Sequence, residues 1–406
     1  MPCIAYPLWR KGVFDPDSMP ARERDPMLLL TAIACILGLA ISTALVAWSI
    51  RAGRKAGMLD SSGSDGHVKT LRSIPNIGGI GIFVGAVGPL AAALIWLAFQ
   101  SLFLKDVPVW SVLENLEGRL VVLPVWFAIV IAALVLHLMG LADDRRPLGA
   151  GVKLLVQAML AAGLVLGFDV RFLHVLDDLG TFGWLLSVVG TIVWILVITN
   201  AINFLDNMDG LAAGVSAIAA SIMVAVTILN AQWFIAISLA LLVGALIGFL
   251  LFNFPPARIF MGDGGSLVIG WLLAVATIRI TFIDTADPQY ALGTAWYGVL
   301  MPLVLLAVPL YDFTSVVIIR TLQGRSPFVG DQQHFSHRLV ARGLSPRNAI
   351  LVIWAVALIT GVSGIFLGSV SPAIAILIGI QTLLLLGVLA LLELGTRREG
   401  GEAARD

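Results

Sequence analysis

Eleven apolar runs of bilayer-spanning length follow one another along this chain, at about 27–50, 74–99, 121–141, 152–168, 184–202, 211–229, 232–252, 265–283, 296–319, 348–370 and 372–394. A helix of about 20 apolar residues matches the hydrocarbon thickness of a bilayer. The pattern therefore dictates an all-α, polytopic integral membrane protein of about eleven transmembrane helices. Composition agrees: charged residues make up 12% of the 406 residues, about half the roughly 25% of a soluble protein. A soluble enzyme, a disordered chain and a secreted disulfide scaffold are excluded. The two cysteines, Cys3 in a polar tail and Cys35 in an apolar run, are not expected to pair. Residues 1–26 form a polar tail without the apolar core of a signal peptide. Residues 27–394 read as one transmembrane unit, and 395–406 as a second polar tail.

Net charge is zero, so nothing points to nucleic acid. The placement of charge is more informative. Eleven spans put the termini on opposite sides. With the N-terminus outside, 8 of the 25 Lys and Arg lie outside and 17 lie inside. The positive-inside rule then assigns an external N-terminus and a cytoplasmic C-terminus. In that orientation the loops at 100–120, 169–183 and 284–295 are ordinary solvated connectors. The cytoplasmic loops gather Asp, Asn, Gly and His. A transporter or flippase, the rival class, would place its ionisable groups near the bilayer midplane. Asp312 alone fits that description, as a functional acid or as a structural hydrogen-bond partner.

Four constellations carry the chemistry. Asp143 and Asp144 close the third span. Adjacent carboxylates repel, so either a metal or a cationic substrate group offsets them or Arg145 and Arg146 pair with them at a solvated helix end. Lys153 follows at the head of the next span, as a phosphate ligand or a snorkelling lysine. The second set is Asn200, Asn203, Asp206 and Asp209-Gly210, one polar residue every three positions. On a straight helix each step lags by roughly 60°, so these residues are expected to wrap one helix end and the start of the next. Asp209 is placed to cap the span from Leu211.

The third set is Asn253 to Ser266, where Gly262-Asp263-Gly264-Gly265 opens a helix. The free N–H groups of a helix start favour phosphate. Asp263 would repel it unless a divalent cation intervened, and magnesium takes one or two carboxylates plus substrate phosphates. The fourth set, Asp331 to Arg338, holds His334 and His337 in a basic loop. A zinc site is one reading, and diphosphate binding by His and Arg is the better one. His67, His137 and His174 are isolated and read as structural. Gly78, Gly79, Gly81 and Gly85 read as close helix packing.

Together these residues resemble the polyprenyl-phosphate N-acetylhexosamine-1-phosphate transferase family, from about Lys69 to Leu344. Lys69, Arg72 and Pro75 to Gly79 are similar to its first basic loop. Asp143-Asp144 resembles its paired aspartates, and Asn200 to Gly210 its long Asn/Asp signature. Asp263 resembles its metal aspartate, and Asp312 through Leu339 the closing loop of the branch using UDP-GlcNAc-like donors. The resemblance implies transfer of a sugar-1-phosphate, GlcNAc-1-phosphate foremost, from a UDP-sugar to undecaprenyl phosphate. UMP is released, in a first membrane step of cell-envelope polysaccharide synthesis.

It implies magnesium, with manganese as a substitute, on Asp263 with Asp206. Asp143, Asp144, Asp206 and Asp209 become catalytic candidates. Lys69, Arg72, Lys153, Asn200, Asn203, His334, His337 and Arg338 become substrate ligands. The implied partners are the UDP-sugar, the polyprenyl phosphate, the bilayer and, as an option, a second copy in a homodimer. The implied location is the bacterial plasma membrane, with the site facing the cytoplasm. Ser336 stands where the family's middle histidine is expected, Gln333 replaces a basic residue, and the family's entry-loop histidine near Thr70 is missing, with His67 as a shifted substitute. Phospho-MurNAc-pentapeptide transferase, another donor, and an inactive lipid-phosphate-binding relative are the alternatives.

Overall fold

The computed structural model of the protein describes residues 21–56, 74–103, 116–280, 300–326, 333–367 and 370–394. Among these the chain is helical: α1 (Ala21–Ala56), α2 (Gly79–Phe103), α3 (Leu116–Arg145), α4 (Ala150–Phe168), α5 (Gly180–Leu205), α6 (Leu211–Leu229), α7 (Trp233–Asn253), α8 (Asp263–Ile280), α9 (Met301–Leu305), α10 (Ala307–Leu322), α11 (Phe335–Ala341), α12 (Pro346–Ile365) and α13 (Pro372–Leu394). Ten helices of the described residues are long and apolar enough to cross a membrane. The ninth expected span, 296–319, is divided between α9 and α10. Pro309 has no N–H to offer the carbonyl of Leu305, and Leu306 leaves helical geometry at φ −103°, ψ 25°.

The core sits around α8, where 83% of the span is buried. Helices α3 and α5 flank it, and α7 packs against α1, α2 and α6. The apolar surface of α4 and α13 faces outward, with 22% and 17% of those spans buried. Lipid is the natural solvent for exposed side chains such as Leu155, Met159, Leu383 and Leu384. At one end of the bundle a 3-10 turn, His174–Leu179, joins α4 to α5. There the buried Arg171 guanidinium donates to Asp177 Oδ1 at 2.7 Å and Oδ2 at 2.8 Å. This connector, expected to be merely solvated, is a built ion-pair cluster.

At the opposite end the helices approach too closely for side chains. A Cβ on Gly140 of α3 would lie 2.3 Å from the Gly264 nitrogen, and one on Gly79 of α2 2.4 Å from the Gly265 nitrogen. The expected close-packing role of Gly79 therefore extends to a glycine of α3. Gly163 of α4 meets nothing within 4 Å. Gly140→Ala should therefore destabilise the fold by about 1–3 kcal/mol through overpacking. Gly163→Ala should be neutral or gain up to about 1 kcal/mol in helix propensity. Thermal unfolding of the two detergent-solubilised variants distinguishes these outcomes.

Candidate functional site

The start of α8 and the helix ends around it bring the second, third and first constellations together. Asp144, from the last turn of α3, turns its carboxylate onto α8. Its Oδ1 accepts from the Asp263 N–H at 3.1 Å and from Asn76 Nδ2 at 3.1 Å, and its Oδ2 accepts from the Gly264 N–H at 3.4 Å. The N–H groups of Gly265 and Ser266 are taken by the Gly262 carbonyl. The helix start expected to receive phosphate is thus already capped, by a carboxylate that suits its positive end. Beneath it, His137 Nδ1 lies 2.7 Å from the Gly264 carbonyl. A carbonyl only accepts, so that nitrogen carries the hydrogen. The ring stacks on Phe83 at 4.3 Å, which gives His137 the structural role expected of it.

With its backbone held, Asp263 directs its carboxylate sideways. Oδ1 accepts from Asn203 Nδ2 at 2.9 Å, and Oδ2 receives the Lys153 ammonium at 2.9 Å. The same ammonium lies 2.8 Å from Asp143 Oδ2. Lys153, on α4, is therefore one cation shared by carboxylates from α3 and α8. Asp143 Oδ1 also accepts the Leu148 N–H at 2.8 Å, which turns the chain toward α4. Asp143 pairs with Lys153 here, a partner from the protein itself that neither reading of the aspartate pair named. Asn203 donates in addition to Ser266 Oγ at 2.8 Å. Asn200, one turn earlier, donates to Gln157 Oε1 at 2.6 Å. Gln157 stands one turn after Lys153, and that spacing was the only sequence signal for it.

The Asn/Asp signature wraps the α5 end and the α6 start, as its spacing predicts. Asp206 is the C-cap residue of α5, its N–H bonding the Asn203 carbonyl. The expected capping by Asp209 is corrected. Gly210, left-handed at φ 76°, is the N-cap residue of α6, with no side-chain bond. Asp209 instead accepts the Ala257 N–H at 3.0 Å. Asn253 ties the same two loops, accepting from Gly210 N at 2.8 Å and donating to the Ile259 carbonyl at 2.8 Å.

The histidine segment reaches this cluster through Asn207. Ser336 Oγ donates to Asn207 Oδ1 at 2.5 Å, and the His337 ring bonds the Asn207 backbone. Burial, with the nearby His334, holds the His337 imidazole below its ordinary range. His334 is the N-cap residue of α11. Its Nδ1 lies 2.8 Å from Asp312 Oδ2, and Asp312 Oδ1 accepts the Phe335 N–H at 3.2 Å. Asp312, fully buried, is thus the structural partner of α11. Arg338 turns away from the cluster, to Glu393 of α13 at 2.6 Å. Lys69, Arg72, His67 and Asp331 lie outside the described residues.

A hard-oxygen set, Asp143, Asp144, Asp263 and the Asn203 amide, therefore meets basic and imidazole groups at one end of the bundle. Among the described residues no three His, Cys, Asp or Glu side chains form a ready-made metal cage. The family model for glycosyl transferase family 4 matches residues 126–281, which run from α3 past the end of α8. A probable undecaprenyl-phosphate N-acetylglucosaminyl 1-phosphate transferase of Bacillus subtilis (strain 168) is 32% identical over 86% of this chain and 87% of its own length. The chain belongs to this family. A decaprenyl-phosphate N-acetylglucosaminephosphotransferase of Mycobacterium tuberculosis (strain ATCC 25618 / H37Rv) is 32% identical, covering 69% of each chain. A phospho-N-acetylmuramoyl-pentapeptide-transferase of Desulforudis audaxviator (strain MP104C) is 31% identical over 74% of this chain and 87% of its own.

Because Asp144 caps α8 from another helix, Asp144→Ala should cost about 1–2 kcal/mol of stability. Asp144→Asn, which keeps one acceptor oxygen, should cost less. Chemical or thermal unfolding of purified protein measures both.

Proposed function

We propose that this protein transfers N-acetylglucosamine-1-phosphate from UDP-GlcNAc to undecaprenyl phosphate and releases UMP. The site would face the cytoplasm across a bacterial plasma membrane. The observation that carries the reading is the shared cation: Lys153 bridging Asp143 and Asp263 beside Asn203. Carboxylates from two helices that gather around positive charge form a place where a divalent ion and a diphosphate can be neutralised together. Relatives that span most of the chain are named for N-acetylglucosamine phosphate transfer with undecaprenyl or decaprenyl phosphate, and the phospho-MurNAc-pentapeptide relative keeps a second donor in view.

Phosphoryl transfer is catalysed mainly by positioning and charge neutralisation. Asp263, with Asp143 or Asp206, would hold magnesium, which when bound supplies charge neutralisation to the diphosphate oxygens. Lys153 adds a monovalent charge at the same place. His337, which bonds the Asn207 backbone, would take up the remaining phosphate charge. An oxygen of the lipid phosphate attacks the phosphorus that bears the sugar. The bond from that phosphorus to the UMP oxygen breaks, and UMP carries the electron pair away. The sugar C1–O bond is untouched, so anomeric configuration is retained. Asp144, committed to α8, is the structural member of the aspartate pair. Asp143 would then take a proton from the acceptor phosphate, with Asp206 the partner of Asp263 on the metal.

Membranes carrying the protein, given labelled UDP-GlcNAc, undecaprenyl phosphate and magnesium, should move label into the organic phase. Excess UMP should reverse it. Asp263→Asn should lower the rate about 100-fold or more, as loss of a charge-stabilising group does. No transfer from UDP-GlcNAc but transfer from another UDP-sugar would change the donor. No transfer from any would sink the reaction.

The lowered His337 range gives a pH prediction. Donor phosphate beside the ring favours its cationic form, so binding takes up a proton. Apparent donor affinity should rise as pH falls through the bound-state pKa, and level off below the lower pKa of the free protein. His337→Gln should flatten that slope in UMP or UDP-GlcNAc titrations across pH 5.5–8.5, values bracketing about the ordinary imidazole pKa.

A further inference from the structure

Arg338 sits in the histidine segment, where the residue pattern marks it as a ligand for phosphate. Its surroundings assign it elsewhere. Arg338 Nε donates to Glu393 Oε2 at 2.8 Å, and Nη2 lies 2.6 Å from the same oxygen. Nη2 also reaches Ser315 Oγ of α10 at 3.3 Å, and Nη1 bonds the Gln333 carbonyl. Glu393 is 6% exposed, and its other oxygen accepts the Tyr311 hydroxyl at 3.2 Å. Tyr311 in turn packs edge-on against Phe335, the first residue of α11. One carboxylate near the end of the last helix therefore engages both α10 and α11.

We infer that Glu393 is a positioning residue: its pair with Arg338 latches α13 to α11 and so fixes His337 and Ser336 against Asn207. The inference rests on the transferase reading for its activity readout. Two observations favour a latch over an incidental contact. First, 17% of the α13 span is buried, and its side-chain bonds to other helices gather on Gln381, which reaches Ser363, and on Glu393, which takes Arg338 and the Tyr311 hydroxyl. Second, the guanidinium is bound on several sides, to Glu393, Ser315 and the Gln333 carbonyl. A buried charge that loses its partner is costly and moves toward water. Arg338 lies one residue after His337, so its movement displaces the imidazole. Displacement of about 1 Å near a reacting group can cost about 100-fold in rate.

The test compares wild type, E393Q, R338E, E393R and the double variant R338E/E393R in lipid nanodiscs. Turnover is counted per UMP-binding site, alongside the thermal unfolding midpoint. The single variants should lose about tenfold or more of kcat/KM. The double variant, with the pair reversed, should recover most of it. Wild-type turnover in E393Q would overturn the latch, because an Arg338 that served phosphate directly would be freed by that change. Recovery of the unfolding midpoint without recovery of turnover in the double variant would also overturn it, as packing alone. If wild type transfers from no UDP-sugar, the transferase reading fails. UMP affinity in the same five proteins then takes the place of turnover, with the same pattern expected and the same patterns overturning the latch.

Discussion

The carboxylate of Asp144 against the first turn of α8 is the contact on which the site depends. It holds the start of the most buried helix from a neighbouring helix. The seat is narrow: Gly140 and Gly79 bring two backbones to within a bond's reach of α8, and His137 closes it from below. Because the backbone of residue 263 is fixed from three sides, its side chain has one direction left, toward Lys153 and Asn203. The pair of adjacent aspartates thereby divides its work. One carboxylate caps α8 and the other pairs with Lys153.

Much of this was legible in the amino-acid sequence. Hydropathy gave ten spans in their places, because lipid leaves helices little choice. The every-third spacing of Asn200 to Asp209 showed a wrap around a helix end, since no single helix face could carry it. The parts that were not legible depend on partners distant in the chain. Nothing local distinguishes Asp143 from Asp144; a lysine and a helix start, 10 and 119 residues away, do so. Asp209 looked like a cap because caps are local, but a left-handed Gly210 turned it toward Ala257. Glu393 lies in a tail-proximal apolar run and had no motif around it. Proline chemistry explains the divided ninth span, although hydropathy alone counted it as continuous.

The two readings of Asp312 are also separated by geometry. A transport acid would face a pathway, whereas this one is spent on the Phe335 amide and on His334. Its burial stabilises the entrance to α11 and fixes which nitrogen of His334 faces it. Asp312 thus belongs with the described ionisable groups that assemble helices.

Helix α4 brings a consequence of a different kind. Its 19 residues make a rod of about 28 Å at 1.5 Å per residue, close to the roughly 30 Å of bilayer hydrocarbon. One end carries Lys153 and the other leads to the Arg171 ion pairs, while most of its flank touches lipid. Such a rod has no slack. A thicker or thinner membrane acts on it as mismatch, and the strain falls on the lysine between two carboxylates. The depth of the Lys153 ammonium and its two carboxylates is therefore set jointly by the protein and by the lipids around it.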